Sequence, residues 1–195
     1  ESSYSHERSA LAFHYQFTEP NPADELIFNV GAHLEHHNLS SGLASNIGNT
    51  RVAYSKDFED GDDRDLFWIN FGVRYDTRDS LHNPYKGWHL GASANTAALQ
   101  TGGDVGAVFS TSASKVFTLP PLFHDGGDDE EDNPPTDALA FGGFIQATAG
   151  DLPFYSLPTL GGSGTLRGFI HNRFTDRCAW HASAEYRLWF IPRGF

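Results

Sequence analysis

The chain has 195 residues, with 25 Asp or Glu against 13 Lys or Arg, which gives a formal net charge of −12 at pH 7. This acidity argues against a nucleic-acid partner, because nucleic-acid-binding proteins present basic patches interleaved with aromatic residues and the sequence has none. The mean hydropathy is −0.42, and no apolar run reaches the roughly 18 residues of a membrane-spanning helix, although membrane-spanning strands remain compatible with this composition. The single Cys178 excludes an intrachain disulfide.

Alternation of apolar and polar residues is the dominant pattern from the start of the chain. Apolar side chains fill every second position from Leu11 to Phe17. A two-residue repeat is typical of a β-strand with one apolar and one polar face, and it predicts a first strand over 8–18. The same repeat predicts a second strand over 26–37, and a weaker form predicts a third over 49–57.

Five more strands are predicted further along, over 65–76, 87–99, 104–118, 138–150 and 177–190. Two of them carry clear apolar sets that we expect to face outward, namely Phe67, Ile69, Phe71 and Val73 in one and Trp180, Ala182, Ala184 and Tyr186 in the other. No window keeps the repeat of about 3.6 residues that a helix needs. We expect the eight strands to be antiparallel and to form one curved sheet.

Strand length and aromatic content favour a membrane barrel over a soluble antiparallel sandwich. Soluble strands average about 5–6 residues, and the predicted strands run about twice that. Tilted strands that cross a membrane need about 9–11 residues with aromatic side chains near their ends. One sandwich core would also have to bury most of 16 Phe, 7 Tyr and 4 Trp. The predicted fold is therefore an all-β, antiparallel transmembrane barrel, with residues 1–195 as one partial barrel domain.

The polar links between strands fall into two alternating sets. Eight consecutive strands would place the links 19–25, 57–65 and 101–104 at one end of the sheet, and 38–49, 77–87 and 119–137 at the other. The last of these contains an acidic run and four prolines, a composition that favours disorder. Its carboxylates lack the ordered spacing of a calcium loop, so we interpret it as a solvated loop.

A glycine-rich loop, 151–176, precedes the last predicted strand. Its glycines at the expected hinge are Gly161, Gly162 and Gly164, which permit tight turns. Arg167 lies between Leu166 and Gly168 as a cation that can be buried, and Glu185 lies on the polar face of the following strand. A cation in a loop followed by such a carboxylate suggests a loop folded back onto that face.

The sequence offers no convincing catalytic or metal site. The segment GGSGT at 161–165 lacks the final glycine of a nucleophile elbow, so Ser163 is interpreted as a flexible loop residue. On a strand, His33 and Glu35 share one face and His36 lies on the other, which argues against a metal site. The YDTRD segment at 75–79 favours salt bridges at a strand end over acid–base chemistry. We predict no enzyme activity, no catalytic residue, no metal and no cofactor.

Two motifs resemble the BamA/TamA-type bacterial surface antigen family of outer-membrane assembly and translocation barrels. The first is LGGSGTLRGF at 160–169, followed by a strand that contains AEYR at 184–187. The second is VRYDTRDSLHNPYKGWHLGAS at 73–93, which is similar to the family's strand–turn–strand with a D-x-R-[DN]…P-x-[KR]-G turn. Order and spacing match over roughly 65–190, and the first 64 residues fit only as generic barrel hairpins.

The resemblance implies a bacterial outer-membrane protein with a sixteen-stranded barrel, of which this chain supplies the middle eight strands, roughly the fifth to the twelfth. It implies that the turns 77–86 and 119–137 are periplasmic and that the loop 151–176 enters the lumen from the outside. In that loop, Arg167, Gly168 and Phe169 form the family's motif, and Glu185 is its lumen partner.

The resemblance also implies a non-enzymatic role in protein assembly or translocation through an openable strand seam. The implied partners are outer-membrane lipid, a client or passenger polypeptide, and periplasmic POTRA domains or accessory proteins, without nucleic acid. The alternative is a passive pore, in which Arg74, His181, Glu185 and Arg187 line a conduit and set its ion preference.

The ends of the sequence suggest a piece of a longer protein. There is no Met and no basic export segment near Glu1, and Pro192 and Gly194 interrupt the final alternation. We expect further strands to follow, so the first and last strands should not pair with each other. Each unsatisfied backbone group in hydrocarbon costs several kcal/mol, so the isolated chain should not insert as a stable monomer.

Overall fold

The computed structural model describes residues 2–18, 25–41, 48–49, 62–123 and 136–188. Within these ranges, seven long strands and one two-residue strand form a single sheet. Their bounds are β1 Ser2–Thr18, β2 Leu26–Ser41, β3 Gly48–Asn49, β4 Asp62–Asp76, β5 Gly87–Gln100, β6 Gly106–Leu119, β7 Asp137–Gly150 and β10 Cys178–Arg187. A 3-10 turn at Phe154–Ser156 and a small hairpin of β8 Thr159–Leu160 with β9 Phe174–Thr175 lie between β7 and β10. The all-β antiparallel prediction is confirmed.

The order of neighbours in the sheet is β10-β7-β6-β5-β4-β2-β1-β3. It differs from the sequence prediction after β2, because β2 is hydrogen-bonded directly to β4, from Leu26 opposite Tyr75 to Leu39 opposite Asp62. The predicted third strand, 49–57, lies outside the described residues except for Asn49, which pairs with Ser3 in a short parallel bridge. The predicted alternation of the links assumed a strand between β2 and β4, and the direct pairing of these two strands contradicts it.

Matched apolar rows explain why β2 pairs with β4. The outward pairs are Phe28 with Val73, Val30 with Phe71, Ala32 with Ile69 and Leu34 with Phe67. Such cross-strand apolar pairs fix register, and the weakly alternating segment 50–57 offers no equivalent row.

The direct pairing also changes the end of the sheet at which β1 stops and β2 starts. The amide of Asp76 donates to the carbonyl of Glu25 over 2.9 Å, so the start of β2 lies beside the turn 77–86. Sequence analysis had placed it with the link 101–104, at the opposite end. The assumption of a strand between β2 and β4 is the reason for that error.

The convex face of the sheet is apolar and exposed, as predicted. Ile69 and Phe71 are each 51% exposed and Trp180 is 67% exposed, while Phe67 and Val73 on the same face are partly exposed. The outward row from Phe67 to Tyr75 rises about 20–25 Å at roughly 3.3 Å per residue and a tilt of about 40°. This height matches the apolar band of a membrane barrel.

The buried core lies on the concave face, at the two ends where connecting segments fold inward. At one end, Leu39, Leu66, Trp68 and Ala97 pack under the segment that follows β7. At the other end, Tyr85 from the turn 77–86 packs against Val116 and Ala138. The middle of the concave face is polar, so the core is split in two.

The sheet is open. Its two ends are β10 and the β1–β3 pair, and no hydrogen-bonded pairing joins these two ends within the described ranges. This confirms the expectation that the first and last strands do not pair, as in part of a larger barrel. No helix in the described ranges has the length and apolar character needed to cross a membrane.

Candidate lumen-loop site

The segment after β7 crosses the concave face before the chain returns to β10. Its start is fixed by the amide of Asp151, which donates to the carbonyl of Val105 over 3.0 Å. Leu152 and Tyr155 then pack against the cluster of Leu66, Trp68 and Ala97, and Phe154 packs against Leu39. We call residues 151–157 the crossing segment. Its inward course agrees with the prediction that the loop folds back onto the sheet.

A buried carboxylate lies beneath the crossing segment. The side chain of Glu35 is only 8% exposed, and it accepts hydrogen bonds from Arg8, from His37 Nε2 at 3.0 Å and from Trp68 Nε1 at 3.0 Å. Burial of a charge is unfavourable unless it is paired and hydrogen-bonded, and these three donors meet that need.

Two imidazole rings connect this carboxylate to Tyr155. His6 Nε2 and His37 Nδ1 lie 2.7 Å apart and share one hydrogen bond. The Tyr155 ring stacks on His37 with centroids 4.5 Å apart, and it is tilted against His6 at 4.9 Å. We call His6, Arg8, Glu35, His37 and Trp68 the wall cluster. The crossing segment is thus docked on a rigid polar network as well as on apolar side chains.

The predicted facing of the histidines is confirmed. His33 and His37 lie on the concave face with Glu35, whereas His36 Nδ1 lies 2.9 Å from Asp65 Oδ1 away from this cluster. Within the described ranges, no group of three or more His, Cys, Asp or Glu side chains has an arrangement that could hold a metal ion.

The rest of the loop, 158–176, is a small hairpin with a tight tip. Gly161 and Gly162 have φ values of 131° and 85°, a region that favours glycine, and a Cβ on Gly161 would collide with the carbonyl oxygen of Ile170. At Gly164 and Gly168, by contrast, an added Cβ would have no atom of the described structure within 4 Å. Of the three predicted hinge glycines, the backbone therefore requires Gly161 and Gly162 but not Gly164.

The motif residues Arg167 and Phe169 lie at this tip. Phe169 packs edge-on against Phe174 of β9 with centroids 5.3 Å apart, so it steadies the hairpin itself. Arg167 is exposed, and it is close enough to Glu185 for an electrostatic interaction without a hydrogen bond between them. Glu185 Oε1 instead accepts from Arg187 Nε over 2.7 Å.

Arg187 also reaches the turn 77–86, a contact that sequence analysis missed. Its Nη1 donates to the carbonyl of Pro84 at 3.0 Å and to Asn83 Oδ1 at 3.3 Å. The same turn contains the predicted strand-end salt bridge, because Arg78 donates to both carboxylate oxygens of Asp76 at 2.8 and 2.7 Å. Hydrogen bonding to Asp76 raises the pKa of Arg78.

A family model described as the Omp85 superfamily domain matches residues 2–193. The chain belongs to the Omp85 superfamily. Members are bacterial outer-membrane β-barrels that insert or translocate proteins and are not enzymes, and they work with client polypeptides and with periplasmic POTRA domains or accessory proteins. A search among curated proteins returns no match to the chain.

In an Omp85 barrel, the polar concave face is the lumen wall. Its middle holds an open depression of about 340 Å³ whose polar lining includes Asn29, Arg74, His89, Ser93, Ser112 and Gln146. The Nε of Arg74 is buried there without a hydrogen-bond partner in the described residues. The wall thus presents hydroxyl, amide and cationic groups to the lumen between its two buried ends.

Proposed function

We propose that the chain is the central part of an assembly or translocation barrel of the BamA/TamA type, and that it handles the insertion or export of a client polypeptide. The loop 151–176 acts as an internal brace, while a strand seam elsewhere in the complete barrel opens. The crossing segment carries this proposal, because it is docked across the wall by Phe154 and Tyr155. Ordering such a segment costs about 1–2 kcal/mol of backbone entropy per residue. Passive conduction does not require a segment ordered across the lumen, whereas an internal brace does.

We assign Glu185 as the residue on the lumen wall that binds the loop tip. Arg167 is the tip cation, Gly168 and Phe169 complete its motif, and Glu185 offers an Oε2 that has no hydrogen-bond partner in the described part of the chain. A guanidinium can form a two-pronged contact with a carboxylate, which an ammonium cannot. A short movement of the exposed Arg167 side chain would complete the contact.

The proposal is tested with the full-length protein in liposomes, by measuring the insertion rate of a fluorescent client barrel. We expect Arg167→Ala to slow insertion by roughly tenfold or more, since loss of one charge-assisted contact of about 1.5–3 kcal/mol corresponds to that range. Arg167→Lys should restore the rate only in part. Ser163→Ala, at an exposed position of the same tip, is the matched control. Normal insertion by the Arg167→Ala protein would remove the loop tip from the mechanism.

A passive outer-membrane pore is the second candidate, and the polar depression around Arg74 favours it. A guanidinium that lines a conduit attracts anions and repels cations. In planar bilayers, a pore should give steady, large conductance with anion preference that falls in Arg74→Gln. An assembly barrel with a docked loop should instead give low and intermittent conductance, which rises when Tyr155→Ala loosens the crossing segment.

A further inference from the structure

Arg187 joins two parts of the barrel that sequence separates widely. From one guanidinium, Nε donates to Glu185 at 2.7 Å and Nη1 donates to the carbonyl of Pro84 at 3.0 Å. We infer that Arg187 is a positioning residue that couples docking of the loop tip to the turn 77–86. This inference rests on the proposed contact between Arg167 and Glu185.

The turn end of this connection is rigid. Asp79 Oδ1 accepts from the amide of Tyr85 at 3.0 Å, and Thr118 Oγ1 donates to the carbonyl of Tyr85 at 3.0 Å. The Tyr85 side chain is buried against Val116 and Ala138. The Pro84 carbonyl, one residue earlier, is therefore a fixed acceptor for Arg187.

The carboxylate end is oriented but still open. The planar guanidinium of Arg187 engages only Oε1 of Glu185, and the carboxylate remains about half exposed. The other oxygen can therefore accept from Arg167. Without Arg187, the Glu185 side chain would sample several rotamers, and docking would have to select one of them.

Coupling of this kind acts in both directions. If Arg187 and the turn hold Glu185 ready for Arg167, then a docked Arg167 must stabilise the turn by the same factor. Arg187 lies opposite Ala138, at the end of the sheet where β4 and β5 are joined. Docking of a loop that enters from the other end is thereby transmitted along the lumen to the turn 77–86.

The test uses thiol labelling of the full-length protein in outer membranes. The background is Cys178→Ser, because Cys178 is a free and exposed cysteine. Ser163→Cys reports on the loop tip, and Leu81→Cys reports on the turn, where Leu81 is 72% exposed. An impermeant maleimide gives the labelling rate at each position.

We expect Arg187→Ala to raise the labelling rate at position 163 by roughly 3- to 30-fold, which lies within the range of about 2- to 160-fold for coupled neighbouring residues. Arg167→Ala should raise the labelling rate at position 81, although Arg167 lies outside the turn. A purely local role of Arg187 would not produce this increase. When Arg187→Ala and Arg167→Ala are combined, the labelling rate at position 163 should rise by less than the product of their separate effects. His181→Ala, on the same face of β10 and outside this chain of contacts, is the control and should change neither rate.

The outcomes separate the inference from the proposed function. If Arg167→Ala leaves position 163 unchanged, the loop-tip docking itself is refuted. If Arg167→Ala raises that rate but Arg187→Ala does not, docking stands and the coupling is overturned. If the Arg187→Ala protein does not fold, Arg187→Lys and Asn83→Ala replace it. Both substitutions should raise the labelling rate at position 81 and, by a smaller factor, at position 163. A change confined to position 81 would overturn the coupling.

Discussion

Replacement of Tyr155 by alanine should release the crossing segment from the wall cluster. The ring stacks on His37 and packs edge-on against Phe154, with centroids 4.5 and 5.4 Å apart. Each aromatic pair contributes about 0.5–1.5 kcal/mol beyond burial, and the apolar area of a half-buried ring adds about 1 kcal/mol. We therefore expect Tyr155→Ala to weaken docking of the segment by about 2–3 kcal/mol.

Hydrogen exchange of the full-length protein in nanodiscs measures this effect at defined amides. The amide of Ser156 donates to the carbonyl of Pro153 at 2.9 Å, and that of Leu157 to the carbonyl of Phe154 at 3.3 Å. A loss of 2–3 kcal/mol should speed exchange at both amides by roughly 30- to 150-fold. Tyr155→Phe keeps the ring and should change exchange much less. Unchanged exchange in Tyr155→Ala, or equal effects of both substitutions, would refute the reasoning.

Three further predictions follow from the wall, the tip and the sheet edges. Glu35→Gln should destabilise the barrel by about 2–4 kcal/mol because it removes a buried anion from Arg8 and His37. On a semi-native gel, the folded species should be lost at a lower temperature. Arg8→Ala should have a smaller effect, and the reverse order would contradict the account. Gly161→Ala should make the loop 158–176 protease-sensitive, at a strain of about 1–3 kcal/mol, whereas Gly164→Ala should be nearly neutral. The isolated 195-residue chain should not refold in detergent as a closed, heat-resistant monomer, because within the described residues β10 and most of β1 have no strand partner on their outer edges.

Strand positions could be predicted wherever apolar alternation coincides with the apolar band. β5, β6 and β7 begin and end within about two residues of their predicted bounds, since their outward rows are apolar along most of their length. β1 and β2 extend further than predicted, to Ser2 and Ser41. Beyond the band these strands carry mostly polar residues, and the isolated Tyr4 and Leu39 form no apolar row, so the hydrogen-bonded ladder continues after the hydrophobic alternation has ended.

The wall cluster could not be predicted because it depends on register between distant strands. Arg8 and Glu35 are 27 residues apart, and Trp68 is 33 residues from Glu35. The sequence does contain one signal: His33, Glu35 and His37 follow each other on one face of β2. Such a row of ionisable residues on the polar face of a barrel strand indicates a network, although its partners appear only with the structure.

The hydrogen bond from Arg187 to the carbonyl of Pro84 could not be predicted either, because the two residues are 103 positions apart in the sequence. In the AEYR motif the sequence predicts a contact only for Glu185, and it predicts for Arg187 no more than a place on the lining of a pore. The structure shows that its arginine is the residue that ties β10 to the turn 77–86, which is the other segment singled out by the family resemblance.

The most direct test of the lumen-loop mechanism is a crosslink between positions 167 and 185 in the full-length protein. In the Cys178→Ser background, Arg167→Cys and Glu185→Cys are joined with a short, cleavable bifunctional thiol reagent in outer membranes, and client insertion is measured before and after cleavage. We predict efficient crosslinking within one molecule, client insertion that is faster than in the uncrosslinked double variant because the loop is held docked, and a return to the slower rate after cleavage. Two thiols that are each labelled by a monofunctional reagent but never crosslinked, or a crosslinked barrel that inserts its client no faster than before crosslinking, would contradict the mechanism.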